Sequence, residues 1–405
     1  MQYRDALVER FLRYVAISSQ SDDRVSAVPS TEGQWELGRL LVQELKDLGL
    51  EDVTQDEHGI VTGLLKGNRT GPAIGFVSHL DTVDVALSPV IHPQIIDYQG
   101  GDVLLNAEQG IVMPLAAHPE LKSYTGQKII FTDGTSVLGA DNKAAMANIM
   151  TALSIIVEEG RPHPDLYIAF VPDEEIGLKG SKLLNLERFK VDYAYTIDSC
   201  ALGEVVYETF NAGSVFIDIT GVTAHPMSSK GVLVNPILVA HDLIALFDRK
   251  ETPECTDGKD GYWWFKGIHA NDLKCSLTLH IRDFDKARYQ YRKAYVQECV
   301  NKVCALHPRA VIKVRFEDVY ENISNNVRAD AAPIAKLYAA LESLGIEAHT
   351  YAMRGGTDGS ALSARGIVTP NYFTGAHNFH SLYEFLPLPS FERSLEVTLK
   401  LIETV

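Results

Sequence analysis

The chain has no long hydrophobic run: nowhere do its apolar residues approach the roughly 18 in succession that a membrane-spanning helix needs. Cysteine is scarce. Cys200, Cys255, Cys275, Cys299 and Cys304 are odd in number, scattered, and outside any paired metal-ligand spacing. They are expected to be reduced thiols, with no disulfide framework. Positive charge is also short, with 37 Lys and Arg against 53 Asp and Glu, a formal −16 that repels nucleic acid and anionic membrane alike. The opening Met1-Gln2-Tyr3-Arg4-Asp5 has neither the basic patch nor the apolar core of a secretory signal, so a cytoplasmic location is expected.

What remains is an ordinary globular composition, 46% hydrophobic and 22% charged, on a chain of 405 residues. That length exceeds what one hydrophobic core usually serves, so two domains are expected. Leu7, Phe11, Leu12, Val15 and Ala16 fall at helical spacing, and Thr31-Glu32-Gly33-Gln34 has the form of a capping box before an apolar helical pattern over 37–48. Strand-like runs at 60–65, 73–77, 166–171 and 193–197 alternate with helical segments, the clearest being 144–157. Residues 86–135 read as an excursion of hairpins. Such alternation predicts an α/β domain with a mixed, largely parallel sheet flanked by helices. Near residue 210 the pattern changes. Strict alternation at 214–220 and 274–281, helices at 235–247 and 287–306, and a strand at 310–316 predict an inserted ferredoxin-like α+β module. The expected division is a discontinuous catalytic domain, 1–209 and 321–405, with a lid or dimerisation-type domain over 210–320.

Chemistry gathers where strands run out. His79-Leu80-Asp81 ends one buried run, and a period of two turns His79 and Asp81 to the same face. Asp141, in Gly139-Ala140-Asp141-Asn142-Lys143, stands at the head of the strongest helix. Pro172-Asp173-Glu174-Glu175 follows another strand, and Asp198 ends the next. Ligands of open α/β sheets collect at these carboxyl ends. Adjacent acids repel, so a division of labour is expected, with Glu175 on a cation and Glu174 taking a proton from water. Near the C-terminus His377 and His380 compete for a ligand role that spacing alone does not decide. The inventory suits two zinc-like ions roughly 3.5–4 Å apart and metal-assisted hydrolysis. Arg354-Gly355-Gly356-Thr357-Asp358-Gly359 lacks the Gly-Lys-Ser/Thr ending of a phosphate loop, which argues against a nucleotide site.

In that order, Ser78-His79-Leu80-Asp81, Gly139-Ala140-Asp141, Pro172-Asp173-Glu174-Glu175-Ile176-Gly177, Thr196-Ile197-Asp198, Arg354–Gly359 and His380 resemble the zinc aminopeptidases of the aminoacylase and carboxypeptidase clan. Within that clan the likeness is to the peptidase T family of tripeptide aminopeptidases. It extends to Pro29–Trp35, Tyr98–Asp102, Ile281–Asp285 and Phe373-Thr374-Gly375, and so covers essentially the whole chain. The resemblance implies two Zn2+ per subunit, or other divalent ions. One would be held by His79, Asp141 and Asp198, the other by His380, Glu175 and the shared Asp141. Glu174 would be the general base, and Asp81 would stand behind His79. His225 would donate to the oxyanion, a cis peptide would follow Asp141, and a homodimer through the lid would be possible.

Arg282, Asn325 and Arg354 are candidates for the substrate carboxylate, interdomain or surface salt bridges being the competing role. A short peptide is the expected partner, with no nucleic acid and no membrane. The chain departs from the family at Asn142, where Asp is frequent, at Ser199-Cys200, where glycines are usual, and at Met227 after Pro226. None of these is a ligand, but all bear on the substrate pocket. A hydrolase of dipeptides or N-acyl amino acids is therefore the first alternative, and a non-catalytic scaffold the second.

Overall fold

The computed structural model describes residues 3–404. It resolves into two compact units: Met1–Tyr207 with Asn326–Tyr351 and Thr357–Val405, and Glu208–Asn325 with Ala352–Gly356. The segment Ala352–Gly356, expected with the catalytic domain, clusters with the second unit.

The first unit is built on an eight-stranded sheet. Its order is Glu51–Gln55, Val61–Leu65, Leu166–Val171, Ile74–His79, Tyr193–Ser199, Asn371–Phe373, Glu204–Val206 and His349–Thr350. Ile74–His79 runs parallel to both its neighbours, and Tyr193–Ser199 runs parallel to Asn371–Phe373. Antiparallel pairing joins Val61–Leu65 to both its neighbours, and Glu204–Val206 to Asn371–Phe373. The fold is therefore α/β, with a mixed, largely parallel sheet. Ile74–His79 and Tyr193–Ser199 are buried along their whole length, as strands covered on both faces must be, and this explains their unbroken apolar reading.

Helix Ala140–Glu159 is buried as far as Ile156, and joins helices Arg4–Val15 and Leu388–Glu403 in one core that includes Phe11, Ile149, Leu153, Phe391 and Leu395. Gly75 has a steric reason: a Cβ there would stand 2.4 Å from the Phe189 ring and 2.9 Å from the Ala194 methyl. The excursion over 86–135 does contain strands, but Pro93–Tyr98 and Gln127–Thr132 are completed by Phe385–Pro387 from far along the chain. A local hairpin reading misses that recruitment.

One local expectation fails. Helix Glu32–Asp47 starts at Thr31 without a side-chain cap. Gln34, the distal member of the anticipated capping box, donates its amide 2.7 Å to Asp173 Oδ1 as well as 3.1 Å to Thr31 Oγ1, and so is committed to a tertiary contact.

The second unit runs β-α-β-β-α-β: Asn211–Thr220, Pro236–Ile244, Tyr262–Ala270, Lys274–Asp283, Lys286–Leu306 and Val311–Tyr320. Its four-stranded sheet is antiparallel throughout, with Asn211–Thr220 and Lys274–Asp283 inside. This chain order is that of a split βαβ sandwich. Strand Tyr262–Ala270 escaped the sequence reading because a bulge between Phe265 and Gly267 interrupts its alternation. Among the described residues no helix is long and apolar enough to cross a membrane.

Candidate metal centre

The acids and imidazoles singled out in the first unit converge. His79 closes strand Ile74–His79, and its Nε2 lies 2.9 Å from Asp141 Oδ1 and 3.8 Å from Asp198 Oδ1. On the other side of the ring, Nδ1 lies 2.9 Å from the Asp81 carbonyl oxygen and 3.3 Å from Asp81 Oδ1. That second contact fixes the ring and directs Nε2 at the acids. His380, at φ +60°, brings its Nε2 to 3.0 Å from Asp141 Oδ2 and 2.9 Å from Glu175 Oε1. One carboxylate, Asp141, thus faces both imidazoles with its two oxygens. Ligand atoms of His79, Asp141 and Glu175 all lie within 4.8 Å of one another.

Local backbone makes this possible. The Asp141–Asn142 peptide is cis, and Asp141 and Asn142 have non-helical dihedrals, so the regular helix begins only after them. The acid therefore opens the helix without being absorbed into its first turn. The buried Asp81 accepts the Glu174 N–H at 2.9 Å and the Glu175 N–H at 3.2 Å, tying the acidic turn to the His79 strand. Asp173 leaves the cluster: it accepts from Ser30 N–H, Ser30 Oγ and Gln34 Nε2 at 2.6–2.8 Å. This explains why the Pro29–Trp35 segment accompanies the site.

Electrostatics point to a shortage of positive charge. Burial, then the Asp141 charge, pushes the Asp198 carboxyl up to about 8 and that of Glu175 to about 7. Glu174 is raised well above the usual range, chiefly by burial, with Glu175, Asp198 and Asp358 adding to it. Against the burial that opposes it, His380 is driven up to about 12 by Asp141 and Glu175, while the same kind of pairing holds Asp141 low. The imidazoles alone cannot neutralise so many buried carboxylates. A mixed imidazole and carboxylate set of this composition fits divalent cations.

The choice between the two late histidines is made by geometry. His377 stacks on Phe385 with centroids 4.8 Å apart, and its Nε2 lies 2.6 Å from the Tyr124 hydroxyl. Only His380 reaches the acids. Glu384 escaped the sequence reading. Its carboxylate accepts the N–H groups of Leu138, Gly139 and Asp141 at 2.7–3.2 Å and so holds the turn that presents Asp141. An acid between Tyr383 and Phe385 in an apolar segment was the available signal. Lys143 is likewise fully buried, donating 2.6 Å to the Ile17 carbonyl, and burial lowers it to about 7.

The remaining candidates belong to the second unit. His225 is exposed and its Nδ1 accepts the Met227 N–H at 3.2 Å. Arg282 donates to the Gly213 and Ile281 carbonyls and lies over the Tyr320 ring. Arg354 is held between the Phe210 and Tyr262 rings, each 5.3 Å from its guanidinium carbon, and donates to Gly258, Asp260 and Thr256. Asn325 donates to Asn211 Oδ1 at 2.6 Å. All four thus have partners inside that unit.

A family model described as peptidase family M20/M25/M40 matches residues 139–404. Over 395 residues the chain is 55% identical to a peptidase T-like protein of Yersinia pestis, covering 97% of this chain and 96% of the relative. A peptidase T of Caldanaerobacter subterraneus is 40% identical over 401 residues, with 98% of each covered. The crystal structure of a tripeptidase from Staphylococcus aureus superposes with a TM-score of 0.78 at 23% identity, over 99% of this chain and 98% of that one. The chain belongs to peptidase family M20/M25/M40.

Proposed function

We propose that the protein is a metal-dependent aminopeptidase that releases the N-terminal residue of tripeptides. The supporting observation is the convergence of His79, Asp141, Glu175 and His380, with Asp198 at its edge, around a carboxylate that faces both imidazoles. His79, Asp141 and Asp198 would hold one divalent ion, zinc by the chemistry of the donors, and Asp141, Glu175 and His380 a second. When bound, such ions supply Lewis acidity toward a carbonyl and make water a better acid near neutral pH.

The chain's own residues do the rest. Glu174 would accept a proton from the attacking water, a role supported by its burial and by the Asp81 contact that fixes its backbone N–H. The same carboxyl returns that proton to the leaving amine. Asp81 keeps the His79 ring and the acidic turn in register. The proposal includes an oxyanion-stabilising hydrogen bond from His225 and a substrate-carboxylate role among Arg282, Asn325 and Arg354. Substituting each in turn, with KM for peptides and for their C-terminal amides as the readout, tests those roles. A homodimer, checked by sedimentation, and a cytoplasmic location are carried as expectations.

The decisive experiment measures metal content alongside rates on Ala-Ala-Ala, Ala-Ala, tetra-alanine and N-acetyl amino acids. Fastest cleavage of the tripeptide with about two ions per chain supports the proposal. Preference for dipeptides or N-acyl amino acids would assign the chain to the alternative activity that Asn142 and Ser199-Cys200 raise.

A further inference from the structure

The two histidines of the candidate centre are held in different ways. The His79 side chain is 1% exposed, and its Nδ1 is fixed by Asp81. The His380 side chain is 45% exposed, and it meets Asp141 and Glu175 through Nε2 alone. Among the described residues no hydrogen bond reaches its Nδ1. A metal-binding imidazole ordinarily takes its orientation from a partner on the nitrogen that faces away from the ion. For His380 the orientation has to come from the backbone that carries it.

That backbone is a closed loop. His377 N–H donates 2.9 Å to the Phe385 carbonyl across its neck, and Phe385 N–H donates 3.2 Å in return. The downstream side is held by strand Phe385–Pro387, with the Phe385 ring stacked on Phe131 at 5.6 Å. On the upstream side the Thr374 and Gly375 N–H groups donate to the Ser199 and Cys200 carbonyls. Between these ends Asn378 and His380 both have left-handed dihedrals, φ +58° and +60°. Residues other than glycine keep that conformation only where their surroundings impose it.

The surroundings come from the excursion over 86–135, at its 3₁₀ helix Pro119–Tyr124 and the preceding His118. Asn378 Nδ2 donates 2.9 Å to Glu120 Oε1 and 3.2 Å to the Tyr383 carbonyl of its own loop, and lies 3.3 Å from His118 Nδ1. His377 Nε2 lies 2.6 Å from the Tyr124 hydroxyl. The His118 ring packs on Tyr383 with centroids 4.7 Å apart. One short segment, distant in sequence, thus grips the loop on both residues that lead up to Phe379 and His380.

We propose that Asn378 and Tyr124 are positioning residues: through them the segment 118–124 fixes the left-handed arm of the loop and sets the affinity of the ion assigned to His380, without acting on the ion at His79 and Asp198. The inference rests on the reading of Asp141, Glu175 and His380 as a second metal position.

The test titrates the metal-free full-length chain with Zn2+ at buffered free concentrations, with Tm of the metal-free protein alongside. The wild type should bind two ions, and His380→Ala identifies which of them depends on the loop. Asn378→Asp removes the donor and sets a second carboxylate against Glu120. It should raise the Kd of the His380-dependent ion about 10–100-fold and leave the other within about twofold. Tyr124→Phe keeps the ring beside His377 and Phe385 and loses only the hydroxyl, so it should fold as the parent does and weaken the same ion about 5-fold. Adding Glu120→Gln to Asn378→Asp exchanges donor and acceptor across the contact and should recover most of the lost affinity. A segment that only stabilised the fold would lower Tm and weaken both ions together. Equal weakening of both ions, or unchanged binding in Tyr124→Phe or in a folded Asn378→Asp, overturns the inference while the metal-centre reading stands. A wild type that binds fewer than two ions, or a His380→Ala protein that keeps both, overturns that reading itself.

Discussion

Glu174, Asp81 and Glu384 show how differently buried acids act within one site. Among the described residues the Glu174 carboxylate meets no hydrogen-bond partner while its backbone N–H is held by Asp81, which suits the proton-exchanging role proposed for it. Glu174→Gln should retain its bound metal and lose about 10²–10⁴ in kcat, measured on Ala-Ala-Ala. Glu384 has the opposite character, since three backbone N–H groups converge on it and give it no freedom to move. Glu384→Ala leaves those donors buried without an acceptor, at about 1–3 kcal/mol each where water cannot replace it. The expected result is an unfolding free energy, measured in urea, lowered by at least about 2 kcal/mol and a metal affinity reduced about 10–100-fold. Unchanged values in both measurements would show that the turn before Asp141 holds itself.

At the scale of elements, the site depends on strands that end together. His79 and Asp198 finish two parallel strands that pair directly, and Glu174 and Glu175 follow a third, so one edge of the sheet collects them. Close packing under that edge is enforced at Gly75. Gly75→Ala should cost about 1–3 kcal/mol in denaturant unfolding, because Phe189 and Ala194 leave no room for a methyl group. The strands and helices that form this edge were legible in the chain as apolar runs and as period 3.6. Two features were not. Phe385–Pro387 joins a sheet whose other strands lie far earlier in sequence, and Tyr262–Ala270 carries a bulge that breaks the period on which strand reading depends.

For the whole molecule, pH acts through half-buried imidazoles held as neutral groups. His280 is lowered to about 4 by burial, with Arg282 and Lys266 adding to it, and its Nδ1 is buried without a partner. His377 is lowered to about 4, again by burial, against the opposing pull of Glu120. In the unfolded chain both titrate near 6.5, so between that value and about 4 the unfolded state binds more protons. Their contribution is therefore complete above pH 6.5 and lost as pH falls through about 4. Tm measured over that window should fall, and less steeply in His280→Gln. A parallel profile for the variant would remove His280 from the account. Chelation is a separate test. Ions bound only by the folded state stabilise it by about 4 kcal/mol at a thousand times Kd, so removing them should lower Tm and refilling with zinc should restore it.

Residue types and their order determined the α/β class, the position of His79, Asp141, Glu174, Glu175 and Asp198 at element ends, and the acidic surplus of the chain, because each of these follows from local periodicity or simple charge. Tertiary structure decided what depends on meeting partners distant in sequence. It separated His380 from His377, gave Gln34 to Asp173 in place of a helix cap, and placed Glu384 beneath the Asp141 turn. Nothing in the spacing of a chain tells a buried carboxylate which distant N–H group or imidazole it will face; only the packing of strands and loops against one another sets those distances.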